Sequence, residues 1–243
     1  MKIVVLGDVH GNLPALEVCW EQAGKEGWDW IVHTGNVVGY GPFPNECVEF
    51  LAERQIPGVR GNFDDNVGWD GEESGTRDSD PFERNLAEAV FEWTKRTIGL
   101  RQKRWLADLP FEVRPRMGAA AAGGVSRLAV FHASPIDLCS GLHAEMPDSR
   151  FVEWGGAAGA DILILGNTLR PFHRTVDGRH FINAGSVGRQ RDGNPRTGYA
   201  VIDVGKDLRV AFKRIPYDVD RTVRAIRERG APVAMVERIV KGT

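Results

Sequence analysis

The sequence predicts an α/β protein, and three observations carry that reading. Over the first hundred residues, apolar β-branched runs ending near glycine alternate with amphipathic segments, the pattern of strands joined through helices into a parallel sheet. Short polar clusters follow directly on the predicted strands, where such a sheet opens its binding crevice. With 42% hydrophobic and 26% charged residues in 243, the chain has enough apolar surface to bury a large core.

Residues 2–6 are apolar and β-branched, and Gly7 ends them as a first strand. Asn12 as cap and Pro14 in the first turn start a helix with Leu16, Cys19, Trp20 and Ala23 on one side. Residues 30–33 read as a second strand, 45–54 as a helix carrying Cys47, Val48 and Leu51, and 58–60 as a short third strand. Between 67 and 79 the chain is glycine-rich and acidic, with little to bury, which predicts a mobile surface loop. Asp80, Pro81 and Glu83 form a helix start of the capping-box type, followed by Phe82, Leu86, Val90, Trp93 and Thr97 at near-helical spacing. Residues 101–108 predict another helix, stopped by Pro110. Strands are expected at 111–113, 128–131, 162–165, 180–182, 199–204 and 208–212, with a loose hairpin turn at 118–124. A last helix spans 218–229, ended by Gly230, with Val219, Val223 and Ile226 inward. No internal repeat or linker divides the chain, so one domain over residues 1–243 is expected.

Charge and cysteine usage narrow the function. The net charge is −2, which offers no global positive field to nucleic acid or an anionic membrane surface. Cys19, Cys47 and Cys139 lie far apart without a C-x-x-C pair, the pattern of reduced, buried thiols rather than of a disulfide scaffold or zinc knuckle. The N-terminal apolar run is too short for a signal peptide, and no stretch reaches the length of a membrane span. A cytoplasmic location is the corresponding expectation.

The polar clusters are Asp8-Val9-His10-Gly11-Asn12, Gly35-Asn36, Gly61-Asn62-Phe63-Asp64, His132-Ala133-Ser134-Pro135 and Gly166-Asn167-Thr168-Leu169. One Asp or His at a strand end is ordinarily a cap or a satisfied polar group. Five clusters, each after a strand and most with glycine beside the polar residue, predict a shared site. Their order resembles the calcineurin-like metallophosphoesterase family, whose pattern runs D-x-H, G-D, G-N-H-D, a single His, then G-H-x-H. The resemblance covers nearly the whole chain. Val38-Gly39-Tyr40-Gly41-Pro42 and Asn183-Ala184-Gly185-Ser186-Val187-Gly188 are similar to bacterial members of this family.

The resemblance implies a sandwich of two mixed β-sheets flanked by α-helices, with the clusters at one edge. It also implies a pair of divalent cations that clamp a phosphate and deprotonate a water. Asp8, His10 and positions 36 and 169 would hold the first cation; position 36, Asn62, His132 and position 167 the second. Position 36 would bridge the two. The catalytic set expected on this basis is Asp8, His10, Asn62 and His132, and the metal set is Asp8, His10, Asn36, Asn62, His132 and Asn167.

Three ligand positions, and one position that assists the leaving group, depart from that pattern. Asn36 stands for the bridging Asp, Asn167 and Leu169 for both histidines of the last motif, and Phe63 for a His that assists the leaving group in many members. An amide oxygen can touch a cation but brings no charge, and leucine cannot coordinate. The expectation is at most one divalent cation per chain (Mn, Fe, Zn or Mg), or none. Arg170, Arg189 and Arg191, near the later motifs, are candidate phosphate-binding groups, since guanidinium forks suit phosphate. Arg196 lies in the same region, whereas His33, His143, His173 and His180 match no ligand position.

Two readings follow. In the first, the dinuclear centre has eroded and the fold binds a phosphate ester, a nucleotide or a partner with little or no hydrolysis. In the second, the chain is a working phosphomonoesterase or phosphodiesterase with a single or atypical metal site, its arginines supplying the missing charge. Deliberate alteration of the ligand positions is a third possibility. Nucleic acid and membrane are not expected as partners.

Overall fold

In the computed structural model, residues 1–116 and 127–243 are described. Lys2–Leu6 form β1, which passes through α1 (Leu13–Glu26) to β2 (Trp30–His33), parallel to β1 with Val4 opposite Ile31. Helices α2 (Pro44–Glu53), α3 (Asn62–Gly68), α4 (Pro81–Thr97) and α5 (Leu100–Ala107) follow. The chain then builds β3 (Glu112–Val113), β4 (Leu128–Phe131), α6 (Asp148–Ala158), β5 (Ile162–Leu165), β6 (Phe172–Val176) and β7 (Arg179–Asn183). It returns to the first sheet through β8 (Thr197–Val204) and β9 (Leu208–Ile215), and ends in α7 (Val219–Glu228) and α8 (Ala234–Lys241). One sheet has the order β2-β1-β8-β9 and the other β3-β4-β5-β7-β6, and both mix parallel with antiparallel pairs.

The two-residue period of a strand decides where each side chain goes. Ile3, Val5 and Val32 share a buried cluster with Val130, Ile162, Ile164 and Ile182 of the other sheet, so the sheets stack face to face. Val4, Leu6 and Ile31 point the other way, into a second cluster filled by Leu16, Val48, Leu51, Val90, Ile226 and Ile239 from the surrounding helices. On the far face of the second sheet, α6 packs Phe151 and Trp154 over Leu163, Leu165 and Phe181. Both sheets are therefore covered on two faces, which places the polar groups of the strands at their ends.

Several local expectations differ from what forms. Residues 58–60 make one isolated bridge, His33 to Gly58, and not a strand. Helices α3, α6 and α8 and strand β6 carry weak sequence signals: Gly155 and Gly156 dilute α6, and β6 sets His173, Arg174 and Thr175 between Phe172 and Val176. Asn12 precedes α1 but its side chain does not cap it; the amide donates to Gly188 O (2.9 Å) and accepts from the Thr222 hydroxyl (3.1 Å). Asp80 does cap α4, accepting from Phe82 N (2.9 Å), while Glu83 turns away from the cap and Phe82 is half exposed. Cys19 and Cys47 are buried and Cys139 only partly so. The hairpin turn expected at 118–124 lies outside the described residues. Among the described residues no helix is long and apolar enough to cross a membrane.

His33 is fully buried beneath Gly58, and burial alone pushes its imidazole pKa down to about 3. Between pH 6.5 and that value the unfolded chain takes up a proton that the folded chain refuses. This contribution to stability is therefore complete near neutrality and is lost as pH falls. Relative to His33→Asn, the wild type should lose about 3 kcal/mol between pH 7 and pH 4 in urea titrations. A pH-independent difference would contradict a neutral buried His33.

Candidate functional site

The site stands on loops that leave the strand ends of both sheets. Asp8 and His10 follow β1, and Asn36 follows β2. Asn62 begins α3, His132 follows β4, and Asn167 to Arg170 follow β5. Asp8 is tied across to the loop after β7: Val187 N and Gly188 N donate to its carbonyl (3.1 and 3.0 Å), as does the Ser186 hydroxyl (2.7 Å). His10, Asn36, Asn167 and Leu169 all adopt left-handed backbone, with φ of 48°, 45°, 66° and 61°. Such angles are costly for residues other than glycine and concentrate at functional sites.

These side chains converge as one network. Asn36 Nδ2 lies 3.2 Å from Asp8 Oδ1 and 3.1 Å from Asn62 Oδ1, and donates toward both. Its orientation is fixed because Phe63 N donates to Asn36 Oδ1 (3.0 Å). Asp8 Oδ2 accepts from Asn167 N (3.0 Å). Burial pushes the Asp8 carboxyl up to about 7 against these hydrogen bonds. His132 Nδ1 donates to Thr34 O (2.7 Å), and burial favours the neutral ring, so Nε2 presents a lone pair. Asn62 Nδ2 donates to Ser74 O, which turns Asn62 Oδ1 toward that same Nε2 at 3.1 Å. Asn167 Nδ2, 3.4 Å away, is the donor facing His132 Nε2.

His10 is held edge-on between Tyr40 and Phe63, with ring centroids 5.0 and 6.0 Å away. Burial keeps it neutral, and the positive charge of Arg189 adds to that effect. Asp64, in the same motif as Asn62, is a structural group: it accepts from Gly61 N (3.0 Å) and Val38 N (3.2 Å), and burial raises its pKa to about 6.

The pair of cations implied by the motif order meets a donor set that does not fit it. The bridging place holds an amide N–H₂ turned toward Asp8 and Asn62, a donor where a shared anion is needed. Leu169, buried at a ligand position, offers no lone pair. Among the described residues, no group of three or more His, Cys, Asp or Glu is arranged to hold a metal ion. What does converge is Asn62 Oδ1 with His132 Nε2, two acceptors 3.1 Å apart.

Above this floor opens a cavity of about 630 Å³, a volume suited to an organic ligand rather than a bare anion. His10, Asn36, Asn62, Asn167, Arg170, Arg189 and Arg191 all line it, whereas Asp8 and His132 lie beneath. Arg170 is exposed and has no ion pair or hydrogen bond among the described residues. Arg191 pairs with Asp78 and Arg189 with Glu83. Arg196 stands apart from the cavity, its carbonyl accepting from Arg214. Two charged lining residues, Arg77 and Arg150, escaped the sequence reading, and a third lining residue, His143, matches no ligand position of the motif. Their motif neighbourhoods are empty, so only the spatial approach of their segments identifies them.

The acidic stretch is part of this cavity. Val67 and Gly68 end α3, and residues 75–79 line the cavity, while Glu72 and Glu73 stand exposed. Ser74 is buried and bonded to Glu88 through N and Oγ, and Lys95 donates to Gly71 O. Polar ties, which leave no hydrophobic signature, replace the apolar anchor that the sequence lacks.

Comparison with known proteins bears on the site. Residues 1–207 match the model of the calcineurin-like phosphoesterase superfamily domain. The uncharacterized protein MJ0912 of Methanocaldococcus jannaschii is 28% identical over 99% of this chain and 98% of its own length. Phosphodiesterase YfcE of Escherichia coli is 35% identical over 28% of this chain and 42% of that enzyme. A crystal structure of a metallophosphoesterase from Sphaerobacter thermophilus superposes with a TM-score of 0.79 at 28% identity, covering 100% of this chain and 99% of that one.

Proposed function

This chain belongs to the calcineurin-like phosphoesterase superfamily, and on that premise we propose that it binds a phosphate ester, such as a nucleotide, without operating a two-cation hydrolytic centre. The family typically depends on divalent metal. The observation that carries the reading is Asn36: Phe63 N fixes its amide so that N–H₂, not oxygen, faces Asp8 and Asn62. Two cations there would face an uncharged donor in place of the carboxylate that offsets their repulsion.

The cavity supplies positive charge by other means. Arg170, Arg189 and Arg191 line its wall beside the amides of Asn36 and Asn167, a set that suits phosphate oxygens through forked and single N–H donors. The volume leaves room for the organic part of the ester against Ile136, Met146 and Trp154. On this reading residues 1–243 act as one binding domain.

Metal stoichiometry tests it. Protein exposed to excess Mn²⁺ and then desalted should retain no more than about one ion per chain, with Asp8→Ala as the control. About two ions per chain, lost in that variant, would reverse the proposal.

A further inference from the structure

Arg189 belongs to a buried charge cluster that reaches the C-terminal helix. Glu83, on α4, pairs through Oε2 with Arg189 Nη2 and accepts at Oε1 from Arg238 Nε of α8 (2.7 Å). Arg189 is 3% exposed and Glu83 5%, so neither charge is dispersed by water. The Arg189 guanidinium lies 4.0 Å over the Tyr40 ring, and its buried Nε has no hydrogen-bond partner among the described residues. Arg191 and Asp78 cancel beside it.

Three arginines thus share two carboxylates, with Arg189, Arg191 and Asp78 lining the cavity and Glu83 and Arg238 behind them, and one positive charge is left uncompensated around the buried Arg189. A buried excess charge with an idle donor is costly unless a counter-ion completes it. We infer that Arg189, backed by Glu83 and Arg238, is an anion subsite for the phosphate of a phosphomonoester, and that Arg238 is its positioning residue. This rests on the phosphate-ester reading above and adds to it which charge holds the phosphate and what sets that charge.

Arg238 acts through Glu83. While Arg238 occupies Oε1, Glu83 can neutralise only part of Arg189; without Arg238 the carboxylate cancels Arg189 outright. The same helix end also fixes the loop that bears Arg189 and Arg191, because Gly193 N donates to Gly242 O (2.8 Å). Helix α8 lies beyond residues 1–207 matched by the family model.

Cys139 gives a readout independent of catalysis. It lines the cavity, half-buried, whereas Cys19 and Cys47 are fully buried; burial raises all three thiols, Cys19 to about 12. The rate of Cys139 alkylation by N-ethylmaleimide, followed by mass spectrometry, is measured against AMP concentration in wild type, Arg238→Met, Arg238→Lys and Glu83→Gln. Methionine keeps the packing stem over Phe82 and removes the charge. The AMP concentration giving half-protection should rise about tenfold in Arg238→Met and return close to the wild-type value in Arg238→Lys. It should fall below the wild-type value in Glu83→Gln, where both arginines are left uncompensated. A purely structural role would weaken binding in both Arg238→Met and Glu83→Gln. Equal protection in wild type and Arg238→Met, failure of lysine to restore it, or weakening in Glu83→Gln each overturns the inference while leaving the phosphate-ester reading intact. Absence of AMP protection in the wild type overturns both.

Discussion

Replacing Asn36 with Asp, and Asn167 and Leu169 with His, is expected to convert the chain into a two-cation phosphoesterase. The backbone is already prepared: these three positions and His10 sit at positive φ and all line the cavity. Each left-handed residue costs on the order of 1 kcal/mol, a cost the fold bears although Leu169 returns no ligand for it. In the triple variant the bridging N–H₂ becomes a carboxylate oxygen and two imidazoles join His10 and His132. Retained Mn²⁺ should rise to about two ions per chain, and turnover of a nitrophenyl phosphate ester should rise on the order of 100-fold or more. A variant that melts within a few degrees of the wild type yet retains no more Mn²⁺ would show that something other than these ligands limits the centre.

Gly188→Ala is expected to be among the most damaging single substitutions. A Cβ at Gly188 would lie 1.9 Å from Val9 O and 3.1 Å from His10 Cβ, and neither backbone can yield without moving the loop that carries Asp8 and His10. Gly188 N and O are also engaged, by Asp8 O and the Asn12 amide. A loss of at least about 3 kcal/mol follows from overpacking against backbone, or about 10 °C in Tm for a chain of this size. Gly156→Ala is the matching control: nothing lies within 4 Å of its Cβ position inside α6, and alanine there should raise stability by about 0.5–1 kcal/mol. If the two alanines have similar effects, the close crossing of the two loops does not limit the fold.

Legibility in the sequence followed the range of the interaction. The strands at 128–131 and 162–165 coincide with β4 and β5 because their four-residue apolar runs are buried on both faces, which local hydrophobicity records. Asp80 and Pro81 mark the start of α4 because capping is a contact between near neighbours. Glu83 shows the limit. Its spacing from Asp80 reads as a capping box, yet its carboxylate serves Arg189 and Arg238, 106 and 155 residues away. Strand β6 was hidden for the same reason, since its partner β7 defines it more than its own residues do.

The sequence by itself determined the fold class, the order of the polar clusters and the identities of the residues at the ligand positions, because each is a local or one-dimensional property. The tertiary structure decided the rest. It turned the amide of Asn36 so that a donor faces Asp8, laid residues 75–79 along the cavity, brought in Arg77, Arg150 and His143, and linked Arg189 to the last helix. Orientation of an amide and sharing of a carboxylate depend on which distant groups compete for each hydrogen bond, and that competition exists only once the chain has closed on itself.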